Sequence, residues 1–135
     1  SSDLTKWGGR PIKYLRKFGF TGTILPVNPK RTEILDLPCY ASPSDLPEGV
    51  DVALLAVPGE IVSSTLEALA ARKCKSAFVF SSGFAEFDTS GRERQAEIHA
   101  FASRTGLRVL GPNCLGFINI HDHIAAAATS AVEMK

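Results

Sequence analysis

The chain has 135 residues, of which 44% are hydrophobic, and a formal net charge of +1. This length and composition fit one folded domain, and we predict a single domain over residues 1–135. The near-neutral charge gives no support for a nucleic-acid-binding surface or a polybasic membrane surface. No apolar run approaches the ~20 residues that a membrane-spanning helix needs. We therefore expect a cytoplasmic protein without nucleic-acid or membrane partners.

The cysteines and histidines show no metal-binding pattern. An odd number of irregularly spaced cysteines argues against a disulfide framework and fits reduced thiols in the cytoplasm. These cysteines are Cys39, Cys74 and Cys114. His121 and His123 bracket Asp122, but two imidazoles alone rarely hold a metal ion. We expect a surface loop at these residues and predict no metal site.

Helix and strand patterns alternate along the first third of the chain. Apolar spacing over Pro11–Phe18 predicts a short helix, which Gly19 ends. Thr23–Val27 predicts a short apolar strand that stops at the following Asn-Pro pair. Arg31–Leu35 favours a helical turn, and a further single turn is expected at Ser44–Leu46.

The alternation continues to residue 120. Asp51–Val57 is almost continuously apolar, as in a strand buried on both faces. Ser90 and Glu93 match a capping box at the start of the last predicted helix. This order predicts an α/β fold with a Rossmann-like, doubly wound parallel sheet. The predicted elements are strands at Asp51–Val57, Ala77–Phe80, Arg108–Leu110 and Phe117–Ile120 and helices at Glu60–Arg72 and Gly91–Arg104.

One element of such a sheet is missing from the pattern. A doubly wound domain normally begins with a strand that lies in the centre of the sheet. Here Ser1–Leu4 already reads as a loop that leads to the first helix. Without that strand, its neighbours would have unpaired backbone groups. We therefore expect that the first central strand is lacking and that a short apolar strand belongs upstream of Ser1.

The segments after the predicted strands are candidates for ligand binding, because ligands of open α/β sheets bind outside the carboxyl ends of the strands. Helix N-termini after Gly8-Gly9 and after Gly59 would suit phosphate oxygens. Lys30 and Arg31 add positive charge. The same residue types make ordinary turns, so this pattern alone predicts only a nucleotide-binding α/β domain. The segments are Asn28–Lys30, Val57–Gly59, Ser81–Gly83 and Gly111–Cys114.

Four motifs in order make a more specific case. They are Trp7-Gly8-Gly9-Arg10, Pro26-Val27-Asn28-Pro29-Lys30, Ser82-Gly83-Phe84-Ala85-Glu86 and Gly111-Pro112-Asn113-Cys114-Leu115-Gly116. With these motifs the chain resembles the N-terminal coenzyme A-binding domain of NDP-forming acyl-CoA synthetases. This family includes the ADP-forming acetyl-CoA synthetases and is related to the α subunit of succinyl-CoA synthetase. The resemblance covers essentially the whole chain.

The resemblance implies coenzyme A as the ligand and assigns contacts to particular residues. Ser1 and Gly8 correspond to the phosphate-binding region around the first strand. Val27, Asn28, Pro29 and Lys30 match the segment at the adenine and ribose end of CoA, where Lys30 would face a phosphate. Val57 and Pro58 match the strand end that packs against CoA. The turn near the pantetheine arm corresponds to Ser81, Ser82 and Gly83, and the turn near the CoA thiol to Asn113 and Cys114.

Enzymes of the resembled family join a carboxylic acid to CoA with ATP or GTP, through an acyl phosphate and a phosphohistidine. The resemblance places that histidine and the nucleotide-binding ATP-grasp domain in other domains or a partner subunit. It also implies an oligomer. His99, His121 and His123 do not match the phosphorylated histidine, so this chain would carry no catalytic residue of its own. CoA supplies its own thiol, which favours a packing or CoA-contact role for Cys114 over nucleophilic catalysis.

Two other functions stay open from the sequence. The chain is also compatible with a non-catalytic CoA-binding module, either as a stand-alone protein or as part of a protein acetyltransferase. A dinucleotide-dependent oxidoreductase would need a G-x-G-x-x-G motif and an acidic residue at the end of the second strand. The sequence has Asn28-Pro29-Lys30 there, which disfavours NAD, although a lysine would tolerate the extra phosphate of NADP.

Overall fold

A computed structural model describes residues 8–85 and 88–133 of the chain. The chain divides into two compact units. We call Ser42–Cys114 the sheet unit. We call residues 8–41 together with 115–133 the hairpin unit. The described elements, in chain order, are α1 (Arg10–Lys17), β1 (Glu33–Ile34), β2 (Leu37–Pro38), β3 (Val52–Leu55), α2 (Val62–Ala71), β4 (Ser76–Val79), α3 (Thr89–Thr105), β5 (Arg108–Leu110), β6 (Gly116–Asn119) and β7 (Ile124–Ala127).

The sheet unit contains a parallel sheet with the strand order β3-β4-β5. The two crossover helices α2 and α3 contact each other. Both crossovers run in the same direction across the sheet, and right-handed connections then put both helices on one face. The core of this unit is aliphatic: Leu66 and Val62 on α2 and Val79 on β4 are fully buried. The predicted α/β class with a parallel sheet is confirmed.

The hairpin unit contains two antiparallel strand pairs, β1-β2 and β6-β7. Helix α1 packs against β7. Four consecutive alanines in and after β7, Ala125–Ala128, are buried. Because successive side chains of a strand point to opposite faces, these methyl groups are buried on both faces of β7. The α1 side chains Tyr14 and Leu15 are buried as well.

Several predicted elements need correction. Thr23–Val27 is not a strand: within the described residues it makes one isolated bridge, between Val27 and Tyr40, because no ladder partner runs beside it. Arg31–Leu35 is not a helical turn. It enters the β1-β2 hairpin, whose connection places Leu35 and Asp36 at positive φ (53° and 60°), as a type I′ turn requires.

The start of the last helix also differs from the expected one. The N-cap of α3 is Asp88, whose carboxylate accepts a hydrogen bond from the Gly91 N–H at 2.7 Å, and the Ser90–Glu93 capping box does not form. This backbone hydrogen bond, with one from Ser90, lowers the pKa of Asp88. The other elements lie within about two residues of their predicted bounds, the usual uncertainty of element ends. Strand β7 was missed altogether.

Candidate functional site

The carboxyl ends of the three parallel strands lie at one edge of the sheet unit, because parallel strands point the same way. We call the segments that follow them, Val57–Gly59, Ser81–Gly83 and Gly111–Cys114, the rim. Ligands of open α/β sheets bind at this edge. Pro58, Ser82 and Asn113 are exposed there, so each of the three segments presents at least one residue to solvent.

Hydrogen bonds join the three rim segments to one another. The Ser81 hydroxyl donates a short hydrogen bond to the Val57 carbonyl. The Ser81 carbonyl accepts from the Asn113 N–H at 2.9 Å, which links the segments after β4 and β5. The Cys114 N–H donates to the Val79 carbonyl at 3.3 Å. The rim is therefore one connected set of turns, joined by backbone groups and by the Ser81 hydroxyl.

Two glycines lie where these turns approach each other. Gly111 has φ +109°, and a Cβ added to it would lie 2.5 Å from the Val79 carbonyl oxygen, so only glycine fits there. A Cβ on Gly59 would lie 3.4 Å from the Ser82 carbonyl oxygen and 3.6 Å from the Phe84 ring. The segments after β3 and β4 are thus in near-contact at Gly59, with the buried Phe84 beside them.

The first turns of α3 support the rim from behind. Gly91 touches the backbone of Phe84 so closely that an added Cβ would overlap the Phe84 carbonyl oxygen at 1.9 Å. The Arg94 guanidinium donates to the Gly83 carbonyl at 2.6 Å and lies 5.9 Å from the centroid of the Phe84 ring. The side-chain oxygen of Gln95 accepts from the Ala85 N–H at 3.3 Å.

The predicted site residues fall into three groups. The structure brings Val57, Pro58, Ser81–Gly83, Asn113 and Cys114 together at the rim of the sheet unit. Gly8 and Val27–Lys30 belong to the hairpin unit, and Ser1 lies outside the described residues. Within the hairpin unit, the Asn28 side-chain oxygen accepts from the Lys30 N–H at 2.9 Å, which closes the turn and leaves Lys30 exposed.

The remaining candidate residues have structural surroundings. His121, Asp122 and His123 lie in the exposed turn of the β6-β7 hairpin, where the Asn119 side chain accepts from the His121 and Asp122 N–H groups. Burial raises the pKa of the Cys74 thiol. Cys114 is half-buried, and its thiol donates to the Leu110 carbonyl at 3.8 Å. Within residues 8–85 and 88–133, no group of three or more His, Cys, Asp or Glu is arranged to hold a metal ion.

Sequence reasoning missed the residues that support the rim. Arg94 gives no sequence signal, because its role depends on how α3 returns onto the segment after β4. Gly91 gives none either, because it was predicted as the first residue of that helix. In the structure it lies inside α3 and touches the backbone of Phe84.

Taken together, the parallel sheet and its cross-linked rim define an α/β domain of the nucleotide-binding class. The rim combines exposed polar groups on Ser82 and Asn113 with partly apolar surface at Val57 and Pro58, and it has open space at Gly83. This mixture fits a long ligand that has both an apolar arm and polar groups, as coenzyme A does.

Comparison with known proteins identifies the family. Residues 1–120 match the CoA binding domain family. A trans-feruloyl-CoA synthase from an unidentified prokaryote is 40% identical over 117 residues, covering 87% of this chain and 16% of that protein. The ADP-forming acetate–CoA ligase I of Archaeoglobus fulgidus is 41% identical over 114 residues, covering 84% of this chain and 16% of the ligase. The chain belongs to the CoA-binding domain family, and coenzyme A is its ligand.

A solved structure supports the same assignment. The dinucleotide forming acetyl-coenzyme A synthetase 1 of Ca. Korarchaeum cryptofilum, in complex with phosphate and ADP, superposes with a TM-score of 0.87 at 34% identity. The match covers 95% of this chain and 27% of the synthetase chain. This chain spans about a sixth of the length of the two curated relatives. The predicted resemblance to acyl-CoA synthetases is therefore confirmed at the level of this domain.

None of the described helices combines the length and apolar character needed to cross a bilayer.

Proposed function

We propose that this chain is the CoA-binding part of an NDP-forming acyl-CoA synthetase, a ligase that joins a carboxylic acid to CoA at the expense of ATP or GTP. The observation that carries the proposal is the rim, in which the segments after three parallel strands are hydrogen-bonded into one surface. Two of the family-like motifs, Ser82–Glu86 and Gly111–Gly116, have described residues in the rim.

The chain's own residues then act by binding and orienting CoA. In the sheet unit, Val57 and Pro58 pack against the ligand, Ser81–Gly83 contact the pantetheine arm, and Asn113 and Cys114 lie near the thiol. In the hairpin unit, Val27–Lys30 contact the adenosine end, and the exposed Lys30 ammonium faces a phosphate. We also propose that Ser1 and Gly8 contribute to phosphate binding.

The remaining chemistry would come from elsewhere. We assign formation of the acyl phosphate and its phosphohistidine relay to further domains or a partner subunit, including an ATP-grasp domain. The small share of the relatives' length that this chain spans supports this division. The three free cysteines support a cytoplasmic location. We propose that residues 1–135 act as one CoA-binding domain of an oligomeric enzyme.

The test is a calorimetric titration of the full-length protein with CoA, dephospho-CoA, NAD and NADP separately. We expect saturable binding of CoA. The affinity for dephospho-CoA should be about tenfold lower, because that ligand lacks the 3′-phosphate and with it one charge-assisted contact. Lys30→Ala should weaken CoA binding and leave dephospho-CoA binding less affected. Binding of NAD or NADP without any response to CoA would overturn the proposal in favour of an oxidoreductase.

Lys75→Ala provides the matched control. Lys75 precedes β4, at the amino end of the sheet, and its exposed ammonium pairs with Asp51 at 2.6 Å. Lys75→Ala removes one positive charge, as Lys30→Ala does, but from the edge of the sheet opposite the rim. An equal loss of CoA affinity in the two variants would indicate a nonspecific electrostatic effect and would contradict the assignment of Lys30.

A turnover assay separates a ligase from a CoA-binding module. The full-length protein is incubated with CoA, ATP or GTP and a panel of carboxylic acids, and thioester formation and nucleoside diphosphate release are measured. Stoichiometric release of both products supports the ligase. CoA binding without turnover by any acid, including acetate and ferulate, would favour the non-catalytic module.

A further inference from the structure

Arg94 makes three contacts around the turn that follows β4. One terminal nitrogen of its guanidinium donates to the Gly83 carbonyl at 2.6 Å. The other donates to the Ser90 hydroxyl at 3.1 Å. The guanidinium carbon lies 5.9 Å from the centroid of the Phe84 ring. One side chain thus holds both the backbone of the rim and the aromatic ring beneath it.

The guanidinium is itself fixed by α3. The Ser90 hydroxyl that accepts from Arg94 donates to the Asp88 carboxylate at 3.0 Å, and the same carboxylate oxygen caps the helix through the Gly91 N–H. The Arg94 Nε atom is buried and has no hydrogen-bond partner among the described residues. A buried donor without a partner carries a desolvation cost, so the other contacts must determine where this side chain lies.

The turn that Arg94 contacts contains a glycine with a left-handed backbone. Gly83 has φ +88°, and no atom lies within 4 Å of the position where its Cβ would be. Such a backbone conformation is readily adopted by glycine. The charge-assisted bond from Arg94 restrains the Gly83 carbonyl and, with it, the direction of the adjoining peptide groups at the rim.

Phe84 extends the effect of Arg94 to the segment after β3. Its ring is fully buried and is close to Gly59, and the Ser82 carbonyl is close to Gly59 too. A displaced Phe84 would disturb both segments together. Arg94 itself lies behind the rim, on α3, and acts on it through Gly83 and Phe84.

We propose that Arg94 is a positioning residue for CoA: it holds the Ser81–Phe84 turn in the shape that receives the pantetheine arm. This inference rests on the proposed function, because that function assigns the turn to the pantetheine arm. A planar fork with five donors can hold a carbonyl and a hydroxyl while it stacks on a ring, whereas a lysine ammonium cannot do all three.

The test compares two ligands in the full-length protein. CoA contains the pantetheine arm, and adenosine 3′,5′-bisphosphate is the part of CoA that remains without the 4′-phosphopantetheine. We expect Arg94→Gln to weaken CoA binding by about tenfold, as loss of one charge-assisted bond would. Binding of adenosine 3′,5′-bisphosphate, measured by competition against CoA, should be unchanged. Arg94→Lys, which retains the charge and one donor, should give an intermediate loss.

Arg92→Gln is the matched control, since Arg92 lies two residues away on the same helix with an exposed side chain. It should leave both affinities and the melting temperature at the wild-type values. Equal weakening of both ligands by Arg94→Gln, in step with a lower melting temperature, would show general destabilisation and overturn the inference. Wild-type affinity for CoA in Arg94→Gln would also overturn it. Failure of the wild-type protein to bind CoA would instead overturn the proposed function.

Discussion

The two compact units of this chain are stabilised in different ways. The sheet unit buries large aliphatic side chains, with Val62, Leu66 and Val79 fully inaccessible to solvent. The hairpin unit instead buries small side chains, Ala125–Ala128, in and after the strand β7 against which α1 packs. It also uses long polar side chains: the Arg10 guanidinium donates to the Ala128 carbonyl at 2.9 Å.

The hairpin unit has a further polar connection at its carboxyl-terminal end. The Glu133 carboxylate accepts from Lys17 at 2.9 Å and from Lys13 at 3.2 Å, both on α1. The Tyr14 hydroxyl donates to the same carboxylate at 3.4 Å. Segments more than 115 residues apart in sequence are joined in this way. Removal of volume should therefore damage the sheet unit most, whereas added volume or lost charge should damage the hairpin unit.

The largest expected effect is therefore a deletion in the sheet unit. Leu66→Ala removes a fully buried side chain of α2 and leaves a cavity where that side chain packed. We expect it to lower the free energy of unfolding by about 2–5 kcal/mol. Chemical denaturation of the purified chain, followed by circular dichroism, measures this change.

Leu110→Ala is the matched control for that deletion. Leu110 lies on β5 of the same unit, and its residue is 51% exposed. Because much of this side chain already meets water, the same substitution should cost less than about 1 kcal/mol. Equal losses at the two positions would contradict an aliphatic core centred on α2.

The next effect is an insertion in the hairpin unit. Ala126→Leu adds three carbon atoms at a residue that is 3% exposed, where β7 lies against closely packed neighbours. We expect it to lower the free energy of unfolding by about 1–3 kcal/mol, since overpacking forces side chains off their rotamers or shifts the backbone. Thermal unfolding of the purified chain measures the loss.

Ala41→Leu makes the same change at an exposed alanine of the hairpin unit. It should alter the free energy of unfolding by less than about 0.5 kcal/mol, as surface substitutions usually do. Wild-type stability in Ala126→Leu would show that the buried alanines of β7 are not closely packed, and it would contradict the predicted sensitivity of the hairpin unit to added volume.

The sheet unit was the more predictable of the two from sequence. Its strands are marked by nearly continuous apolar runs such as Asp51–Val57, and its rim by Gly, Pro and Ser after each strand. These are local signals, and β3, β4, α2 and β5 follow them. The predicted rim residues of this unit lie at one edge of its sheet for the same reason.

The hairpin unit was less predictable because its elements depend on distant partners. Thr23–Val27 has the composition of a strand, but a strand exists only where another pairs with it. The Leu35-Asp36 turn lacks the glycine that usually marks a type I′ hairpin, so its hairpin gave no signal. The contacts of Arg94 in the sheet unit are non-local in the same sense, and they were missed too.

The smallest expected effect is electrostatic. It is a difference between the two units in how strongly their carboxylates make the melting temperature depend on pH. Hydrogen bonds from Lys17 and Lys13 lower the pKa of Glu133 from 4.5 to about 2. Because the folded state binds this proton less tightly than the unfolded state, the stabilisation is complete above pH 4.5 and is lost as the pH falls towards 2. Glu133→Gln should remove this part of the acid dependence, and the melting temperature measured from pH 7 to pH 2.5 tests it.

The matched variant in the sheet unit is Glu48→Gln. One exposed lysine, Lys73 at 2.6 Å, makes the ion pair that chiefly lowers the pKa of Glu48, with a smaller contribution from the charge of Arg72. Both carboxylates are partly solvated, so both effects should shrink in high salt. Since two lysines hold Glu133 and one holds Glu48, Glu133→Gln should flatten the acid limb of the melting curve more than Glu48→Gln does. An equal or larger change in Glu48→Gln would mean that the polar connection of the hairpin unit contributes no more than an ordinary surface ion pair. The packing of α1 would then depend on its buried apolar contacts with β7 rather than on Glu133.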